Sequence, residues 1–185
     1  MELALSILIG LGLSAACGYR VFVPFLVLSI AAMTGHVSLA EGFAWIGTSY
    51  ALIAFAVATV LEVLAYYIPW VDNVLDVAAT PVAIVAGIVL TASVLTDVSP
   101  FLRWSLAVVA GGGVAGAIQA TTVVVRGASS ATTGGLGNPV VATGELGGSL
   151  LTSVLAVVVP VAAVLLVALL LVFIVRFARR RARAC

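Results

Sequence analysis

Lysine is absent from this chain of 185 residues, and charge of either sign is scarce: 8% of the residues are charged, against roughly 25% in soluble proteins. A chain so poor in charge cannot cover a folded surface in water without leaving large apolar patches. That excludes a soluble enzyme, a disordered chain and a basic nucleic-acid binder. Histidine occurs once, as His36, and cysteine twice, as Cys17 and Cys185. A lone His and a non-nucleophilic Cys make neither a catalytic triad nor a zinc site. Without lysine no phosphate-binding P-loop can form. Neither enzymatic activity nor a cofactor is therefore expected, and the two cysteines lie at depths too different for a disulfide.

What is abundant is apolar side chain, 64% of the chain, against roughly 45–50% in soluble proteins. The reading is an integral membrane protein. A hydrocarbon core needs about 20 helical residues to cross. The uncharged runs predict five spans, about 3–33, 43–68, 79–96, 102–125 and 148–175. The first contains Arg20 and bends at Pro24, so one long kinked helix is the simpler reading and two half-helices the alternative. The expected fold is all-α, a polytopic membrane bundle of about five transmembrane helices, forming one domain over residues 1–175. Residues 176–185 hold five of the eight arginines and read as a cytoplasmic tail, since positive segments stay inside. Counting spans back from that tail puts the N-terminus outside, the first and third connections inside and the second and fourth outside, in the cytoplasmic (inner) membrane.

Residues 127–144 are unlike the other uncharged runs. Glycine and hydroxyl residues crowd the stretch around Asn138-Pro139, too many for a lipid-facing helix. Irregular backbone is tolerated at membrane depth only inside protein or along a water-filled cavity. We expect this segment to re-enter the membrane, with Arg126 and Glu145 at its rims, reaching water. Glycine clusters in the first and fourth spans hint at an inverted repeat of the kind transporters use, although no single offset aligns both the glycines and the glutamates. Gly112-xxx-Gly116 alternatively has the spacing of close helix packing.

Charges within a bilayer are costly and need partners. Arg20 and Glu62 stand in otherwise apolar spans, at depths that do not obviously match. Asp72 and Asp76, spaced i, i+4, share one helix face and suit a hard cation, although Asp72 is also well placed to cap a helix. The ion- or solute-binding candidates are Arg20, Glu62, Asp72, Asp76, Arg126, Asn138 and Glu145; the residues identify no metal.

Three strings carry a family resemblance. They are Cys17-Gly18-Tyr19-Arg20 with Pro24, the stretch from Tyr67 through Pro69-Trp70 to Asp76 with Thr80-Pro81, and the stretch from Gly111-Gly112-Gly113 through Arg126 to Gly137-Asn138-Pro139. Together they resemble a bacterial integral-membrane family catalogued as domain of unknown function 4126, from about residue 5 to residue 172. The resemblance implies a membrane fold in one domain and brings no activity. Two classes of function follow from the residues. One is a transporter or channel for an ion or small polar solute. The other is a non-catalytic scaffold that assembles with itself, as a homo-oligomer, or with a partner through small-residue helix faces. In either case the chain's constant partner is the lipid bilayer, with no role for nucleic acid.

Overall fold

The computed structural model describes residues 2–68 and 71–182, without the side chains at 2, 72–74, 76, 173–175 and 177–182. Among the described residues it is an all-α membrane bundle without strands. We number its helices α1 (Glu2–Cys17), α2 (Phe22–Met33), α3 (Ser49–Tyr66), α4 (Val71–Val94), α5 (Pro100–Thr133), α6 (Asn138–Val158) and α7 (Pro160–Ala182). The helices α3, α5, α6 and the Val77–Val94 part of α4 are long and apolar enough to cross a membrane; α1, α2 and the Pro160–Val172 part of α7 are shorter apolar helices.

The ends of these helices follow from local chemistry. Thr48 caps α3 by accepting the Ala51 N–H at 3.3 Å, and Ser99 caps α5 in the same way, with Pro100 behind it. Pro24 lies in the first turn of α2, where a missing N–H costs nothing. Near its start α5 widens into a π-helical segment, Ala107–Gly112.

The first uncharged run adopts the two-half-helix alternative. The chain leaves α1 at Cys17 and enters α2 at Phe22, and the two arms form a V. Ser14 Oγ donates to the Gly87 carbonyl at 2.8 Å and lies 2.8 Å from Thr91 Oγ1, which sets α1 antiparallel to α4. The second arm returns beside α3, with the Phe25 and Phe55 rings stacked at 5.0 Å. At the open end of the V, Leu5 and Ser6 line one cavity with His36, Ser38, Thr96 and Asp97, and the Ala40 N–H donates to the Ser93 carbonyl at 2.7 Å. The start of α1 and the first connection therefore share one end of the bundle, instead of the opposite faces that counting spans assigned them. The closed vertex needs Gly18: a Cβ there would stand 2.5 Å from Ile118 Cβ and 2.8 Å from the Ala115 carbonyl.

Two further segments differ from expectation. The expected span 148–175 is not a single helix, because Val159 leaves helical geometry (φ −139°, ψ 74°) and Pro160 has no N–H to continue the ladder. The chain folds back there, so Gly12 of α1 faces both Ala156 of α6 and Ala163 of α7. The segment 127–144 is helical rather than irregular. Residues 127–133 extend α5 and 138–144 open α6; the only break is the turn 134–137, where Gly134 and Gly135 take φ of 63° and 89°. The hydroxyls that argued against helix bond back along it, Thr132 to the Ala128 carbonyl and Thr133 to that of Ser129. The glycine clusters of the first and fourth runs thus adopt different structures, a break after α1 and a continuous α5.

Candidate functional site

The vertex of the V lies against α3, α5 and α6, and there the apolar bundle places its buried charges. Residues 18–21 separate two short helices, so backbone groups at the end of α1 and the start of α2 lack intrahelical partners. Val21, the residue before α2, offers no side-chain cap. Glu62 supplies one from α3: its two carboxylate oxygens accept the N–H groups of Val21 at 2.8 Å and Phe22 at 3.1 Å. A carboxylate on a helix N-terminus is also favoured by the helix dipole. The partners that this intramembrane carboxylate needed are thus the backbone N–H groups of the helix break.

Arg20, at the vertex, is 1% exposed. Its Nη2 donates to the Ala142 carbonyl of α6 at 3.0 Å and stands 3.5 Å from Glu145 Oε2, while its Nε and Nη1 have no hydrogen-bond partner among the described residues. From α5, Arg126 binds the same Glu145 with both ends of its fork, Nε to Oε1 at 2.9 Å and Nη2 to Oε2. Arg126 and Glu145 are 3% and 6% exposed, so they do not stand at rims reaching water as expected. They close the α5–α6 hairpin from inside. Both guanidiniums lie over the ring of Tyr66, 3.8 Å from its centroid for Arg20 and 4.0 Å for Arg126. Cation–π attraction of this kind strengthens where water is excluded. Among the described side chains the site gathers two cations and two anions, contributed by the α1–α2 break, α3, α5 and α6. A balanced set is the form in which buried charge is tolerated.

Of the seven candidates, four meet here: Arg20, Glu62, Arg126 and Glu145. Asn138 sits nearer the α5–α6 turn, its Nδ2 donating to Ser130 Oγ at 3.0 Å. Asp72 and Asp76 fall within α4, but their side chains lie outside those described. Sequence reasoning missed Tyr66, which is 7% exposed. The available signal was its i, i+4 spacing from Glu62, which puts both on one face of α3. It also missed Ala142, whose role rests on its carbonyl and leaves no mark in the sequence.

A cavity of about 440 Å³ adjoins the site between α2, α3 and α4, with Val21, Phe22, Glu62, Tyr66, Leu75 and Val82 in its wall. A second, of about 400 Å³, shares Val21, Phe22 and Val82 and continues toward Val89. Among the described residues no group of three or more His, Cys, Asp or Glu side chains is placed to hold a metal ion.

The sequence family described as "Domain of unknown function (DUF4126)" matches residues 7–180. No curated protein matches the chain, and neither does any solved structure.

Proposed function

This chain belongs to the DUF4126 family, and from the site it carries we propose that it is a small transporter or channel for an ion or small polar solute. One observation carries the reading: the charged residues converge where a helix is broken inside the bundle. Transport folds place their binding sites where helices are broken within the membrane-spanning bundle. Among the described residues two guanidinium nitrogens of Arg20 find no hydrogen-bond partner at that point, and Glu62 lines the adjoining cavity. Intramembrane charge is expensive, and where it converges it marks a path or a site.

The scaffold reading draws less support, because the closest small-residue approaches lie within this chain. Gly112 and Gly116 both face Ile84 of α4, and Gly12 faces Ala156 and Ala163. For placement, the Arg-rich end of α7 orients the chain with its C-terminal end toward the cytoplasm, in the inner membrane. The fold-back at Pro160 then puts the 134–137 turn on the cytoplasmic side, with the start of α1 and the His36 and Asp97 connections outside.

Flux into proteoliposomes, measured over inorganic cations, inorganic anions, organic cations and small organic acids, tests the proposal. Transport of at least one class, lost in Glu145→Gln, is expected. Liposomes no leakier than protein-free ones to every class would remove it.

A further inference from the structure

We propose that the cavity between α2, α3 and α4 binds an amphiphilic organic cation, its charge against the Glu62 carboxylate and its apolar body along α4. The inference deepens the transport reading and rests on it for what the cavity is for. Three observations carry it. The cavity, about 440 Å³, falls in the range of small-molecule sites, roughly 300–1,000 Å³. Among the described residues that line it, Glu62 alone bears a charge, and Arg20, Arg126 and Glu145 are not among them. The second cavity extends the same groove past Phe25, Pro81 and Val85 with no charged residue at all. A ligand that fits both parts has one positive centre and a larger hydrocarbon or aromatic body.

The chemistry of Glu62 favours a cation over a lipid tail. A carboxylate has about four acceptor positions, and the Val21 and Phe22 N–H groups occupy two of them. An acyl chain would leave the remaining acceptors of this carboxylate against hydrocarbon, which is costly. A cation engages them, and the aromatic residue Phe22 stands in the same wall. Leu61 and Val82, 60% and 47% exposed, stand in the lining, so the cavity is reached from the flank of the bundle, where amphiphiles partition.

Tetraphenylphosphonium and tetraphenylborate have nearly the same shape and opposite charge, and their binding to the full chain in detergent, followed by calorimetry, is the test. The expected result is saturable binding of the phosphonium and none of the borate. Glu62→Gln retains an acceptor for the α2 cap and should weaken phosphonium binding by about tenfold or more. Ala79→Phe fills the cavity while leaving Glu62 in place, and should abolish binding without loss of thermal stability. Equal binding of both probes would make the cavity a neutral apolar groove and overturn the proposal. So would an undiminished phosphonium affinity in Ala79→Phe. Because binding is measured apart from flux, the two readings fail separately: flux of another solute without phosphonium binding refutes only this inference, and binding without flux of any solute refutes only transport.

Discussion

Glu62 accepts the backbone N–H of Val21 at 2.8 Å, across 41 positions of sequence. This bond joins α3 to the break between α1 and α2, and it gives the V its closed end. An acidic side chain that would be a liability in a lipid-facing span becomes the cap of a helix that has none of its own.

Removing that cap should loosen the V. Glu62→Leu leaves the Val21 and Phe22 N–H groups without acceptors, at about 1–3 kcal/mol for each buried donor left unsatisfied, whereas Glu62→Gln keeps one acceptor and should cost less. Thermal unfolding in detergent ranks the two. If Glu62→Leu melts with the unaltered protein, the carboxylate does not hold the break.

Glu145 lies against two guanidiniums, those of Arg20 and Arg126, so its removal should cost more than the loss of either one. Glu145→Leu leaves Arg20 and Arg126 without their shared anion and should cost about 3–5 kcal/mol. Arg126→Met leaves Glu145 beside Arg20 and should cost less. A double-mutant cycle measures both, with the Arg126→Met/Glu145→Leu pair less destabilising than the sum of its parts. Equal single effects, or strict additivity, would contradict the shared carboxylate.

Gly18 and Gly127 make a matched pair of helix-packing tests. A Cβ at Gly18 meets Ile118 and the Ala115 carbonyl, while one at Gly127 meets nothing within 4 Å. Gly18→Ala should lower the melting temperature markedly, and Gly127→Ala should raise stability by roughly 0.5–1 kcal/mol, since it replaces glycine inside a helix. The opposite order would mean the vertex is not closed against α5.

The V also has a topological signature. In a chain with Cys185 replaced by Ser, single cysteines at Ser38 and Asp97 should react with a membrane-impermeant maleimide from one side, and one at Leu136, 87% exposed at the α5–α6 turn, from the other. With the Arg tail inside, Ser38 and Asp97 label in intact cells and Leu136 only after lysis. A further cysteine at Leu3, 42% exposed near the start of α1, should label from the same side as Ser38; labelling of Leu3 and Ser38 from opposite sides would restore α1 and α2 as a single crossing.

The α5–α6 hairpin shows where local reading was sufficient and where it was not. Its lack of charge marked it as part of the bundle, and Asn138-Pro139 marked the neighbourhood of its turn. Its secondary structure went the other way, because glycine and threonine propensities are weak priors that tertiary packing overrides. The Arg126–Glu145 pair and the Ser130–Asn138 bonds hold together two helices whose residues favour neither lipid nor helix on their own.

The amino-acid sequence by itself determined that the chain folds as apolar helices in a membrane, and that Arg20, Glu62, Arg126 and Glu145 need partners, because hydropathy and the cost of buried charge are properties of each residue and its near neighbours. The tertiary structure alone decided that the first run turns back as a V, that the chain reverses again at Val159–Pro160, and which partners those charges have. Proline and glycine permit a reversal without setting its direction. The partners lie far apart in sequence: Arg20 meets the carbonyl of Ala142, 122 residues on. Only the packing of α1 against α4 and α6 brings such groups to one depth.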